Sequence, residues 1–180
     1  NWYVPRQTLE AADQLDCCLH RVCLTWNAVS YIRSELPQYQ DGAYDDARTT
    51  LVYDDCKKYL EEYEGTFDVI VLDLADPVEA GPAFPIWTKE YYTTCAEKLA
   101  PDGARNALNS GLLFDRLLSD FGFAHVLRCR VVAGILVTQS GPFSTTQVSE
   151  VCTPVANTLG AVFPTVLTYG AHVPSFGHSW

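Results

Sequence analysis

No methionine occurs in the 180 residues, not even at position 1, and the simplest expectation is a fragment whose start is missing. No basic-then-apolar leader opens the chain, which begins Asn1-Trp2-Tyr3-Val4-Pro5, so no signal peptide is expected. No N-x-S/T sequon is present. Apolar runs such as Val131–Val137 are far shorter than the roughly 20 residues of a membrane-spanning helix. Basic residues are few, 12 against 22 acidic ones, giving a net charge of −10. That balance argues against nucleic acid, whose phosphates need a basic patch. It suits a cationic small substrate, although acidity alone does not identify one. There is no G-x-G-x-x-G and no P-loop. Ser140-Gly141 follows a strand-like run but lacks the first glycine of a G-x-S-x-G elbow, so a Ser-His-Asp hydrolase using His172 is rejected.

What is present fits a folded domain. Apolar residues make up 48% and charged residues 19%, and the length suffices for one real core. Seven cysteines, an odd number without a secretory context, read as reduced thiols of a cytoplasmic protein. The cluster Cys17-Cys18-Leu19-His20-Arg21-Val22-Cys23 invites a zinc site. A structural zinc site usually has two spaced ligand pairs, and no second pair follows. A half-buried helix with scattered thiols is therefore preferred, and no metal is expected.

Residues 9–36 contain no Gly or Pro and repeat apolar side chains at helical spacing (Leu15, Leu19, Val22, Cys23, Trp26, Val29), predicting one helix that stops before Pro37. Gln38–Arg48 reads as a loop and Thr50–Tyr53 as a short strand. Cys56 to about Tyr63 reads as a helix ended by Gly65. Phe67–Leu72 is almost continuously apolar, as a strand covered on both faces should be. A Pro-rich loop over Asp73–Pro85 leads to a helix over Thr88–Leu99 with Thr88 as N-cap. Gly134–Thr138 is a second buried strand, Thr145–Leu159 a helix despite Pro154, and Ala161–Thr168 a strand. Strands alternating with helices predict a doubly wound α/β sheet, which binds ligands beyond the C-terminal ends of its strands.

That rule selects two acidic places. Asp73 and Asp76 follow the strand at 67–72, in a loop held by Pro77. Two carboxylates there can anchor an ammonium group and take its proton, which an amine needs before it acts as a nucleophile. The same spacing also fits Asx-turn and capping aspartates. Asp54-Asp55 follow the strand at 50–53. They could accept from an adenine amino group or a ribose hydroxyl, or cap the helix at Cys56, and from the residues alone the cap is favoured.

Four segments in order resemble the polyamine aminopropyltransferase (spermidine synthase) family, in particular its plant- and microbe-type thermospermine synthases. Asp73-Leu74-Ala75-Asp76-Pro77-Val78-Glu79-Ala80-Gly81-Pro82 is similar to its D-x-x-D-P-x-x-x-G-P segment. Thr88-Lys89-Glu90-Tyr91-Tyr92 resembles its T-K-x-F-Y helix start. Gly134 to Pro142 resembles its G-I-x-V-T-Q-x-G-P, and Ala171-His172-Val173-Pro174-Ser175-Phe176 its A-H-[VI]-P-S-F. Leu36-Pro37 through Asp55 is similar to the stretch that leads to its N-D-A or G-D-G signature. The resemblance covers roughly residues 30–103 and 134–180.

The resemblance implies a single partial aminopropyltransferase domain over residues 1–180, with a partial Rossmann-like sheet of the S-adenosylmethionine-dependent methyltransferase type. It implies transfer of an aminopropyl group from decarboxylated S-adenosylmethionine, a co-substrate, to a polyamine, with no metal and no permanently bound cofactor. By the same resemblance Asp73 matches the proton acceptor and Asp76 a polyamine-binding carboxylate. Asp55, with Asp54 beside it, matches the acceptor from the adenine amino group. Gln139 matches a substrate-pocket glutamine. Phe176 stands where spermidine synthases carry a tyrosine, which leans the match toward the thermospermine branch. A small-molecule polyamine partner and a homodimer are implied, and neither nucleic acid nor membrane.

The sequence departs from the family pattern in three places. The Gly-rich G-G-G-x-G loop and the acidic residue after the next strand are absent, and residues 1–29 are atypical. About thirty residues, 104–133, interrupt the match, with an amphipathic helix expected over Leu108–Phe121. The family continues into at least one further strand beyond the position of Trp180. These departures favour, as the alternative, a non-catalytic family relic or interaction module that cannot bind the nucleoside. A methyltransferase on the same sheet is a third reading, against which the Asp73/Asp76 pair and Gln139 speak.

Overall fold

Residues expected to form one long helix divide instead into a strand and a helix. In the computed structural model, which describes residues 20–23, 26–40, 42–72, 83–100, 127–130, 134–141, 148–168, 172–173 and 178–179, His20–Cys23 form strand β1. β1 pairs in parallel with β2, Thr49–Val52, in the register His20↔Thr49 to Cys23↔Val52. Between them runs helix α1, Trp26–Glu35. This β–α–β crossover is the usual way to join neighbouring parallel strands. The helix reading of 9–36 is thus corrected over 20–23. The ladder partner of β1 lies almost thirty residues downstream, beyond the reach of any local periodicity argument. Cys23, one of the thiols expected on that helix, lies on β1 instead. Cys17 and Cys18 are outside the described residues.

β1, α1 and β2 belong to the first of two compact units, Asn1–Glu62 with Ser110–Phe121. α1 ends where expected: the Leu36 amide donates to the Ile32 carbonyl at 3.1 Å, and Pro37 opens a short turn of helix, α2, Pro37–Gln40. Proline suits that first position because its missing N–H would have no intrahelical acceptor. Val29, Ala43 and Tyr44 form a buried core, with Ile32 and Leu51 packed against it. Arg33 ties α1 to the following loop, donating to the Tyr44 carbonyl at 3.3 Å and pairing with Asp45 Oδ1 at 2.7 Å. The pair is largely exposed, so it contributes about 0–1 kcal/mol and the apolar cluster dominates. Asp46 accepts from the Arg48 amide at 2.9 Å and closes the turn into β2. Helix α3, Cys56–Glu62, follows β2. It ends three residues before Gly65, which is not among the left-handed glycines, so Gly65 is not its C-cap.

The second unit is Tyr63–Asn109 with Gly122–Trp180. Its centre is a four-stranded sheet in the order β3-β5-β4-β6, formed by Val69–Leu72, Ile135–Thr138, Leu127–Arg130 and Thr165–Leu167 respectively. β3 and β5 are parallel, with Leu72 opposite Thr138. All four residues of β5 are buried, as the apolar run Ile135–Val137 predicts, and polar Thr138 is buried with them. β4 runs antiparallel to both β5 and β6. It comes from the segment that interrupts the family resemblance, so that segment supplies an interior strand. The helix expected over Leu108–Phe121 is outside the described residues.

Helix α4, Lys89–Glu97, starts at Thr88 as predicted: the Thr88 hydroxyl accepts from the Tyr91 amide at 3.3 Å and donates to the Pro85 carbonyl at 3.0 Å. It buries Tyr91, Tyr92 and Cys95, and Leu99 beyond it is also buried. Leu99 lies so close to Gly134 that a Cβ on Gly134 would sit 2.6 Å from the Leu99 Cβ, so only glycine fits the entry to β5. Helix α5, Cys152–Gly160, touches α4 and buries Cys152, Val155 and Leu159. It begins seven residues later than expected, after a turn at Val148–Val151. Pro154 falls in its first turn, where amides have no intrahelical acceptor, which is why the helix tolerates it. β7, His172–Val173, and β8, His178–Ser179, form a short antiparallel pair.

Candidate active site

The C-terminal ends of β3 and β5 lie side by side. The Gln139 amide donates to the Leu72 carbonyl at 3.3 Å, one residue beyond the last ladder pair. Asp73 is the next residue in the chain after Leu72. The turn after β5 is held locally: the Thr138 hydroxyl donates to the Gln139 carbonyl at 3.1 Å, and Gln139 Oε1 accepts from the Gly141 amide at 3.3 Å. Gly141 has φ +77°, a conformation that side chains disfavour, and a Cβ there would stand 3.1 Å from Val151. Gly141→Ala is therefore expected to cost about 1–2 kcal/mol, read as a lower midpoint of chemical denaturation. An unchanged midpoint would show that the turn relaxes freely. Thr138 and Ser140 are buried polar residues at this end, and Ser140 Oγ has no hydrogen-bond partner among the described residues. Pattern reading weighs Ser140 only as a hydrolase nucleophile and rejects that role; its burial without a partner among the described residues is a feature of the fold.

The second acidic place belongs to the first unit. Asp55 caps α3: its Oδ1 accepts from the amides of Lys57 at 2.9 Å and Lys58 at 3.0 Å. Asp54 Oδ1 accepts from the Asp55 amide at 2.8 Å, and Oδ2 pairs with Lys58 Nζ at 3.2 Å. The capping alternative is thus realised, and through Oδ1 of Asp55. The Asp55 amide and then Lys58 hold the Asp54 carboxyl below its ordinary value of 3.8. A lowered folded-state value gives stability that is present above the unfolded value and is lost as pH falls through the folded one. Asp54→Asn is therefore expected to lower the melting temperature slightly at neutral pH, with a difference that disappears well below about pH 4. A difference that persists unchanged in strong acid would contradict this account.

A groove of about 310 Å³ in the same unit is lined by Val29, Ser30, Arg33, Ser34 and Tyr53. Its charged residue is a cation, Arg33, so it is poorly suited to a polyamine. Among the described residues no group of three His, Cys, Asp or Glu side chains is placed to hold a metal ion. No described helix is long and apolar enough to cross a membrane.

Of the residues singled out from sequence, Asp54 and Asp55 are adjacent at the start of α3 and Gln139 stands at the end of β5. Asp73, Asp76 and Phe176 are outside the described residues.

Residues 24–109 match the model of the spermine/spermidine synthase domain. The chain is 36% identical over 139 residues to thermospermine synthase ACAULIS5 of Arabidopsis thaliana, covering 77% of this chain and 32% of that protein. It is 31% identical over 153 residues to a polyamine aminopropyltransferase of Aeropyrum pernix, covering 84% of this chain and 38% of that one. It thus spans about a third of the length of these relatives. Two solved structures share the fold. One is a spermidine synthase in complex with the transition state analogue AdoDATO, with TM-score 0.53 and 18% identity over 88% of this chain and 41% of that one. The other is spermidine synthase from Thermotoga maritima, with TM-score 0.51 and 17% identity over 85% and 45%. The fold is α/β, a partial Rossmann-like arrangement shared with spermidine synthases. By sequence, the chain is similar to the spermine/spermidine synthase family, over residues 24–109 to the domain model and over most of its length to these relatives.

Proposed function

We propose that this chain carries out the aminopropyl transfer of a polyamine aminopropyltransferase, with spermidine as acceptor in the thermospermine or spermine branch, or putrescine in the spermidine branch. Asp73 takes the proton from the acceptor amine, and Asp76 holds the amine through its charge. The freed nitrogen lone pair attacks the methylene beside the sulfonium of decarboxylated S-adenosylmethionine. The carbon–sulfur bond breaks, its electron pair neutralises the sulfonium, and methylthioadenosine leaves. Much of the rate comes from holding the amine in line with that bond. Gln139 and Phe176 line the acceptor pocket, and Asp55, beside Asp54, receives the adenine amino group. No resident cofactor or metal is required. The working form is a cytoplasmic homodimer without nucleic-acid or membrane partners, and 1–180 is a single partial domain with atypical segments at 1–29 and 104–133.

The observation that supports this most is the Gln139–Leu72 bond. It joins the end of the strand that precedes Asp73 to the glutamine that the family resemblance assigns to the pocket. A second reading, a relic that no longer binds the nucleoside, is favoured by the use of Asp55 Oδ1 as a helix cap. Incubation with decarboxylated S-adenosylmethionine and either spermidine or putrescine separates the two. Methylthioadenosine together with a tetraamine from spermidine, or with spermidine from putrescine, is the expected outcome, and no methylthioadenosine with either acceptor from a folded chain would favour the relic. S-adenosylhomocysteine from S-adenosylmethionine would instead indicate a methyltransferase.

A further inference from the structure

We infer that Ser140 is a further acceptor-binding residue: its hydroxyl oxygen receives a hydrogen bond from an amine of the polyamine held at the C-terminal ends of β3 and β5. Ser140 is 1% exposed, and its Oγ lacks a hydrogen-bond partner among the described residues. Its polar neighbours along the chain are engaged. The Thr138 hydroxyl donates to the Gln139 carbonyl, and Gln139 Oε1 accepts from the Gly141 amide. A buried hydroxyl without a partner weakens the fold that contains it, so alanine would be the better residue if packing were all that mattered here. A primary ammonium brings three N–H donors and no acceptor, and a serine oxygen supplies lone pairs without adding a charge. The backbone aims the residue at the same end of the sheet: Gln139 is tied to Leu72, and Gly141 at φ +77° turns the chain immediately after Ser140.

This inference rests on the aminopropyltransferase reading and names one more residue of that site. Isothermal titration of the 180-residue chain with spermidine, and separately with methylthioadenosine, tests it in the parent chain, Ser140→Ala and Ser140→Thr. Ser140→Ala is expected to bind spermidine about tenfold more weakly, the worth of roughly one hydrogen bond to a charged group. It should bind methylthioadenosine as before and melt, without ligand, no lower than the parent. Ser140→Thr keeps the hydroxyl and should recover most of the spermidine affinity. Equal spermidine affinity in the parent and Ser140→Ala overturns the inference. So does an unfolded or lower-melting Ser140→Ala chain, since an unpaired hydroxyl cannot be what holds the fold. A parent chain that binds methylthioadenosine but not spermidine overturns it while leaving nucleoside binding intact. One that binds neither overturns the aminopropyltransferase reading itself.

Discussion

Asp73→Asn is expected to lower the rate of aminopropyl transfer by about 10²–10⁴-fold, the usual worth of a positioned general base. The substitution keeps the size and one oxygen of the side chain and removes its ability to take a proton. Methylthioadenosine affinity should stay within about twofold, because the assigned role touches the amine and not the nucleoside. Asp76→Asn should act differently, raising the acceptor KM more than it lowers kcat, because a charge that only holds the amine serves ground state and transition state alike. Equal transfer rates in the parent and Asp73→Asn would remove Asp73 from the proton-accepting role. Loss of nucleoside binding in the same variant would mean that the carboxylate shapes the pocket.

Leu136→Ala is expected to give the largest loss of stability, about 2–5 kcal/mol. Leu136 is fully buried at the centre of β5, the strand that joins β3 to β4. Its removal deletes packing inside the sheet's core, and the neighbouring strand backbones are held in register by ladder hydrogen bonds and can close the cavity only in part. Such a loss would lower Tm by roughly 4–20 °C for a chain of this size. A shift of less than about 2 °C would mean that β5 is not the centre of the core.

The strands most legible in the sequence were those whose burial is written locally. Ile135–Val137 is an unbroken apolar run and is buried throughout, whereas Val69–Leu72, expected to be covered on both faces, buries Ile70 and Leu72 and leaves Val69 and Val71 half-buried. The start of α4 was legible because a cap needs only one side chain and the next three residues, and Thr88 makes that bond. β1 was not legible. His20-Arg21-Val22-Cys23 is short, is flanked by helix-compatible residues, and owes its conformation to β2 far along the chain. β4 failed for the same reason: Leu127-Arg128-Cys129-Arg130 carries no strand-like apolar run, and its place is fixed by β5 and β6 on either side.

The candidate site divides in the same way. Asp54 and Asp55 could be read as ligands or as a cap, since both uses place a carboxylate after a strand and before a helix. Hydrogen-bond geometry shows the cap in use. Gln139 stands at a strand end, as the preference of such sheets for ligands beyond their C-terminal ends requires. Pattern brings Ser140 forward only as a hydrolase nucleophile, which the missing first glycine rules out; a binding role depends on its burial and its lack of a partner among the described residues, which pattern does not carry.

The most direct test of the central claim is a thermal-shift titration of the 180-residue chain with methylthioadenosine, repeated with Asp55→Ala. Ligand bound to the folded state raises the melting temperature by mass action. The account predicts a saturable rise that weakens when Asp55 is removed, beyond the loss of ligand-free stability that deleting the α3 cap causes by itself. A cooperative melt that no concentration of methylthioadenosine moves would contradict it, leaving a chain with the family's fold and without the family's chemistry.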